Sequence, residues 1–363
     1  MPPSFSHLVA SLNLSQPFPG RRELERKRGR PYRVRLGANE CLFGVSPAVS
    51  RVLATRGGEL PYYSDPAQLE LRTAIAQGRG LTHEHVVVAE GIEGLLGLFS
   101  RAYLDPGDTA VTSLGGYPSF DYYVRGCGGR LVHVPYTRAG WNDLDALVDA
   151  ARRQRAKLLY LANPDNPTGT HHGPAELERL LDQLPEECLL LLDEAYVEFA
   201  DPGSVLPFTR SRPNLVRLRT FSKAHGLAAA RVGYALASPE QVSTLDRIRQ
   251  HFAVSQLSQE LALAAWRDVD FLGQVIGATR EGREHYGELA RRVGATVLPS
   301  SANFVSFDFG GTTRVRAVAR WLDEKDILVR HPSEPFGQLV RITVGPLAAR
   351  ELLAEVLASV PNP

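Results

Sequence analysis

Lys223 stands in the stretch Thr220-Phe221-Ser222-Lys223-Ala224-His225-Gly226, and Arg231 follows eight residues later. An amine in a partly dry loop attacks carbonyl carbons. A serine and an arginine beside it can hold a phosphate, the arginine through two parallel N–H bonds. A solvent-facing loop lysine fits the same letters, and Ser-Lys alone is a weak signal. Two other stretches bear on the choice. Asn163-Pro164-Asp165-Asn166-Pro167-Thr168-Gly169 follows an apolar run, and its X-Pro turns push the chain outward where that run ends. A proline-rich crossover without chemistry is the competing interpretation. The apolar residues 189–192 lead directly into Asp193-Glu194-Ala195-Tyr196. An acid at the end of a wholly apolar strand is costly to bury without a cationic partner, and a protonated ring nitrogen is one. The alternative use of Asp193 is to cap the next helix.

Such groups need a scaffold that brings them to one place. From about residue 45 the sequence alternates short apolar segments with helical patterns, as in βα units. Strand patterns cover 85–89, 109–114, 131–135, 157–162, 188–192, 215–219 and 232–237. Helical patterns cover 47–56, 66–77, 91–103, 117–125, 143–153 and a long zone at about 239–290. The continuous apolar runs at 157–162 and 188–192 fit strands buried on both faces of a parallel sheet. Ligands of open α/β sheets bind at the carboxyl ends of the strands, where all three chemical stretches fall. A second β–α–β pattern occupies 302–344, and a last helix follows Pro346. The basic stretch 21–35, interrupted by Glu23 and Glu25, reads as a solvated amphipathic helix. A break near 280–295 marks a candidate boundary. The expectation is an N-terminal arm over 1–45, a large domain over 46–280 and a small domain over 281–363.

Composition narrows the function classes. The chain has 363 residues, 44% of them hydrophobic and 22% charged, with a formal net charge of +1, so no nucleic-acid surface or polybasic membrane patch is indicated. No run approaches the length of a membrane span, and no leader pattern opens the sequence. Cys41, Cys127 and Cys188 have no metal spacing and no even-numbered disulfide framework, which points to a reducing cytoplasm. His171-His172 is adjacent rather than four apart and reads as a solvated pair, so no metal site is expected. Only four lysines occur. Arginine carries the surface charge, so a lysine in an unusual setting calls for its own explanation.

Taken in order, the three chemical stretches resemble those of the class I/II aminotransferases, most closely the histidinol-phosphate aminotransferase branch. Further matching stretches are Pro17-Phe18-Pro19-Gly20, Ala38-Asn39-Glu40, Tyr63-Ser64-Asp65-Pro66, 248–255, Ser301-Ala302-Asn303-Phe304 and 339–345. The resemblance runs over nearly the whole chain. It implies an α/β fold of type I, with a three-layer α/β/α large domain around a mainly parallel sheet and a smaller α+β domain. It implies pyridoxal 5′-phosphate as cofactor, carried by Lys223 as a Schiff base, with Lys223 also moving the proton of the substrate Cα. Asp193 would pair with the pyridine nitrogen. Asn166 and Tyr196 would bond the cofactor's 3-oxygen, and Tyr117 would stack on its ring, although the flanking Gly115-Gly116 depart from the pattern. Ser222, Arg231 and the backbone N–H groups of Ile92 and Glu93, at a helix N-terminus, would hold the phosphate. Tyr63 would reach the phosphate of a second subunit, making a homodimer with shared sites. Asn39, Arg330 and Arg341 would meet substrate, Arg341 its carboxylate and Arg330 its phosphate.

Several positions depart from the family pattern: Cys41-Leu42-Phe43, His225, Ala229-Ala230, His251 and Ala253. Most of them are expected around the substrate rather than the cofactor. The implied reaction moves an amino group from histidinol phosphate to 2-oxoglutarate. Another L-amino acid, aromatic or otherwise, as donor, or decarboxylation of a phosphorylated amino acid such as threonine phosphate, would use the same cofactor residues.

Overall fold

A computed structural model describes residues 3–12, 19–208 and 212–360. Pro17 and Phe18 of the Pro-Phe-Pro-Gly stretch lie outside the described residues. Among the described residues, twelve strands follow one another: β1 Val34–Arg35, β2 Val86–Ala89, β3 Thr109–Ser113, β4 Arg130–Val134, β5 Leu158–Ala162, β6 Leu189–Asp193, β7 Leu215–Thr220, β8 Gly233–Leu236, β9 Thr296–Val297, β10 Phe304–Asp308, β11 Ile327–Leu328 and β12 Leu339–Thr343. Seven form the main sheet in the order β2-β8-β7-β6-β5-β3-β4. Every neighbour pair in it is parallel except those made by β8, which runs against both β2 and β7. The fold is the mainly parallel α/β architecture expected from the alternating pattern.

The apolar runs are continuous because each strand packs on both sides. Leu158, Tyr160, Leu189 and Leu191 face one core, shared with Leu95 and Phe99 of the helix Gly91–Tyr103. Leu159, Leu161, Leu190 and Leu192 face another, shared with the helices Leu144–Gln154 and Pro174–Gln183. Odd and even residues thus serve opposite layers, as a period of two requires. At the β2–β8 edge, Val86, Val88 and Tyr234 pack on the helices Leu69–Gln77 and Gln256–Arg267.

A separate three-stranded antiparallel sheet runs in the order β12-β10-β9, and β1 pairs in parallel with β11. Their core gathers Leu36 from the N-terminal arm with Val305, Ile342 and Leu353. The helix Val269–Arg292 links the two regions without interruption. Its Val275 packs with Tyr196 and Phe304, and its Tyr286 and Leu289 enter the core of the smaller sheet.

Three local expectations change. The basic helix covers only Arg21–Arg28, because Gly29 takes a left-handed φ of 74° that closes it and Pro31 follows. The long helical zone is three helices, Pro239–Asp246, Gln256–Arg267 and Val269–Arg292. The pair His171-His172 is not solvated. His172 is buried, its Nδ1 2.9 Å from Glu176 and its Nε2 3.2 Å from the Asn142 carbonyl. His171 is partly buried and contacts Ser204 through Nδ1 at 3.3 Å. Among the described residues, no helix is long and apolar enough to cross a membrane and no His, Cys, Asp or Glu group could hold a metal.

Candidate active site

The carboxyl ends of β2, β3, β5, β6 and β7 open on one cavity of 330 Å³. Ile92, Glu93, Tyr117, Asn166, Asp193, Tyr196, Ser222, Lys223 and Arg231 all border it. The sheet assembles this set from five loops, since each strand ends at the same edge and releases its chain there.

Asp193, the last residue of β6, is 4% exposed. Its Oδ2 accepts a 2.6 Å hydrogen bond from Tyr160 Oη, and its Oδ1 accepts one from the Ala195 N–H at 2.9 Å. Burial pushes its carboxyl up to about 6, against those two donors and the charge of Lys223. An acid in that position fits a cationic group placed in the cavity. Tyr160 is absent from the sequence reading because it sits inside an apolar strand. The signal was its hydroxyl, which a fully apolar environment does not satisfy. The next residue, Glu194, turns to the opposite face. There Arg217 donates to both of its carboxylate oxygens, at 3.0 and 2.6 Å, and Arg219 donates at 2.8 Å. Sequence reading also missed this buried cluster, although two arginines two apart in a buried strand call for a shared acid.

Lys223 Nζ lies 3.4 Å from the Ala38 carbonyl and 5.5 Å from the centre of the Tyr196 ring. The Tyr196 hydroxyl accepts from Asn39 Nδ2 at 3.0 Å. Asn39 is itself buried and fixed from behind, since Asn303 Nδ2 donates to its carbonyl and Thr343 Oγ1 donates to its Oδ1. The arm residue therefore ties Tyr196 to the smaller sheet.

At the other end of the cavity the helix Gly91–Tyr103 begins without a side-chain cap. Its first N–H groups are the kind of partial positive charge that binds anions. Arg231 reaches across with Nη1 3.4 Å from Ser222 Oγ and Nη2 3.4 Å from the Glu90 carbonyl. Gly91 takes a φ of 79°, which other residues rarely adopt, and an added Cβ there would lie 2.8 Å from Arg231 Nη2. An added Cβ at Gly233 would lie 2.7 Å from the Gly91 backbone, so both glycines shape the cradle. Glu93 Oε1 accepts from Ser119 Oγ at 2.7 Å and from Tyr117 Oη at 3.2 Å, and its Oε2 is 3.7 Å from Arg231 Nη2.

A second cavity of 370 Å³ shares Tyr117, Asn166, Tyr196 and Lys223 with the first and is bordered by Asn39, Arg330 and Arg341. Arg330 and Arg341 face each other across an antiparallel bridge, each N–H bonded to the other's carbonyl. Directly opposed residues project to one side. Arg341 is buried, donates to Asn166 Oδ1 and, at 2.7 Å, to the Gly37 carbonyl, and burial lowers it to about 10. Burial also lowers Arg330. Gly115 is needed nearby, since its φ is 86° and a Cβ there would lie 2.5 Å from Pro335. The departure from the family pattern at this glycine thus has a steric reason.

Tyr63 borders neither cavity. It is 85% exposed and packs its ring 5.0 Å from that of Phe252. The departures expected around the substrate are elsewhere. Cys41 and Phe43 pack with Tyr196 and Phe304 behind the site. His225 is buried against Phe221 and Trp266, and burial lowers it to about 4. His251 is on the surface.

A model of the aminotransferase class I and II family matches residues 33–360. The chain is 34% identical over 341 residues to histidinol-phosphate aminotransferase 2 of Carboxydothermus hydrogenoformans, covering 92% of this chain and 93% of the relative. It is 37% identical over 340 residues to the histidinol-phosphate aminotransferase of Anaeromyxobacter sp., covering 93% of each. Among solved structures, the histidinol-phosphate aminotransferase of Sinorhizobium meliloti in complex with pyridoxal-5′-phosphate superposes with a TM-score of 0.94 at 40% identity, over 98% of this chain and 97% of that one.

Proposed function

The chain belongs to the class I and II aminotransferases, and on that premise we propose that it transfers the amino group of histidinol phosphate to 2-oxoglutarate, using pyridoxal 5′-phosphate held in the cavity around Lys223. The observation that carries the reading is the joining of two sites through shared walls. One has a buried acid at its floor and an uncapped helix N-terminus at its rim. The other has two opposed arginines. The donor set fits the cofactor. Asp193 would pair with the ring nitrogen, and its raised carboxyl is suited to sharing a proton there. Asn166 and Tyr196 would bond the 3-oxygen, and Tyr117 would lie against the ring. Ser222, Arg231 and the N–H groups of Ile92 and Glu93 would take the phosphate. When bound, the cofactor supplies an aldehyde that captures amines and a ring that accepts the electron pair left at the substrate's Cα.

The chain's own residues do the rest. Lys223 would hold the cofactor through its amine and, once free, would serve as the base that moves the proton of the substrate's Cα. Arg341 grips the acceptor's carboxylate as a planar clamp, and Arg330 reads the donor's phosphate. Asn39 fixes the Tyr196 hydroxyl. The enzyme is a homodimer in which Tyr63 completes the partner's phosphate site. Residues 1–45 and 281–363 form the smaller domain and 46–280 the larger, a division supported by the core shared between Leu36 and the smaller sheet. Three unpaired cysteines support a reducing cytoplasm as its location.

The decisive measurement is a donor panel on the purified yellow enzyme. Histidinol phosphate without a 2-oxo acid should discharge the chromophore, and 2-oxoglutarate should restore it. Discharge by an aromatic amino acid but not by histidinol phosphate would reassign the donor, and release of carbon dioxide would reassign the reaction. Lys223→Ala should lose turnover altogether, and full activity in that variant would sink the assignment.

A further inference from the structure

Glu93 puts a carboxylate where an anion is to bind. An acid in the first turn of a helix ordinarily serves the helix dipole. This one is used differently. Its Oε1 accepts from Ser119 and Tyr117, both beyond the next strand, and its Oε2 lies 3.7 Å from Arg231. One side chain therefore touches the two halves of the cavity, the ring side at Tyr117 and the phosphate side at Arg231. We propose that Glu93 is a positioning residue that fixes the plane of the Tyr117 ring and, by sharing Arg231, loosens the grip of the pocket on the cofactor's phosphate. The inference rests on the assignment of this cavity to pyridoxal 5′-phosphate.

The two effects separate by substitution. Glutamine keeps an oxygen that accepts from Tyr117 and Ser119 but removes the charge that opposes a phosphate. Leucine removes the acceptor as well. In the Glu93→Gln holoenzyme the cofactor should dissociate with a constant about threefold to tenfold smaller than in the wild type, as expected for one partly exposed like charge. The gain should shrink as salt is raised, because screening weakens the repulsion it removes. The circular dichroism of the bound chromophore should be preserved. Glu93→Leu and Tyr117→Phe should each diminish that signal, and the double variant should lose no more than either alone, since both break one contact.

Cofactor dissociation constants at low and high salt, with chromophore dichroism for the four variants, decide the matter. A Glu93→Gln enzyme that holds the cofactor no more tightly than the wild type overturns the charge role. Additive losses in the double variant overturn the tether. A wild-type protein that forms no chromophore would instead defeat the cofactor assignment, so the two failures are told apart.

Discussion

Asp193 is a carboxylate held where its charge is penalised. Burial raises it to about 6, above the ordinary range for an aspartate. Between the unfolded value and that level the folded chain keeps a proton that the unfolded chain has released. Stability of the cofactor-free protein therefore falls as pH rises through this window, by up to roughly 3 kcal/mol. Asp193→Asn carries no such penalty. Without cofactor it should melt a few degrees above the wild type at about pH 7.5, with the gap closing toward about pH 4. Bound cofactor should stabilise the wild type more than the variant, because its ring nitrogen offers the missing cation. Thermal melts across pH, with and without cofactor, test both statements, and a gap that stays constant down to the acid end would contradict the burial account. The need of Asp193 for a partner was legible in the sequence, from an acid closing a run of leucines. Its second partner was not. Tyr160 is one letter in another apolar run, and only the pairing of β5 with β6 places its hydroxyl beside Asp193.

At the scale of elements, the strands were legible and their partners were not. Continuous apolar runs announce strands with a helix layer on each side, and β5 and β6 match that physics residue by residue. Helix ends were harder to place where a backbone conformation decides them, as at Gly29. The same kind of signal shapes the end of the cavity proposed to take the phosphate. Gly91 is not a generic glycine: it opens its helix with a positive φ while Arg231 lies against it. Gly91→Ala should cost about 1–2 kcal/mol of stability from the left-handed backbone. It should also move the Arg231 guanidinium, weakening cofactor binding by about tenfold for a lost charge-assisted contact. Gly94→Ala, within the same helix, has no left-handed φ to strain and meets only the Glu90 side chain among its nearest atoms, so it should leave the cofactor constant much nearer the wild-type value. Equal losses at the two glycines would mean that the helix as a whole, rather than the cradle, had been disturbed.

The whole molecule raises a question that a single chain poses on its surface. Leu60, Tyr62 and Tyr63 are each more than two-thirds exposed, and Phe252, packed on Tyr63, is 50% exposed. Grouped aromatic and aliphatic side chains on one surface mark a place where another surface docks. A two-fold dimer would cover this patch in both copies at once and carry Tyr63 of each toward the other's phosphate cradle. Shared sites make a prediction that independent sites do not. In the proposed shared-site dimer, Tyr63→Ala would damage the partner's site, whereas Lys223→Ala would damage its own. In a mixed dimer of the two, one site has both defects and the other has neither. Co-refolding equal amounts of the two variants makes about half of the dimers mixed, so activity should recover to about a quarter of the wild-type value. Each variant refolded alone should stay well below that level, Lys223→Ala near zero. Were the mixture to give no more than the average of its parents, Tyr63 would act within its own chain or not at all, and the exposed patch would need a different occupant.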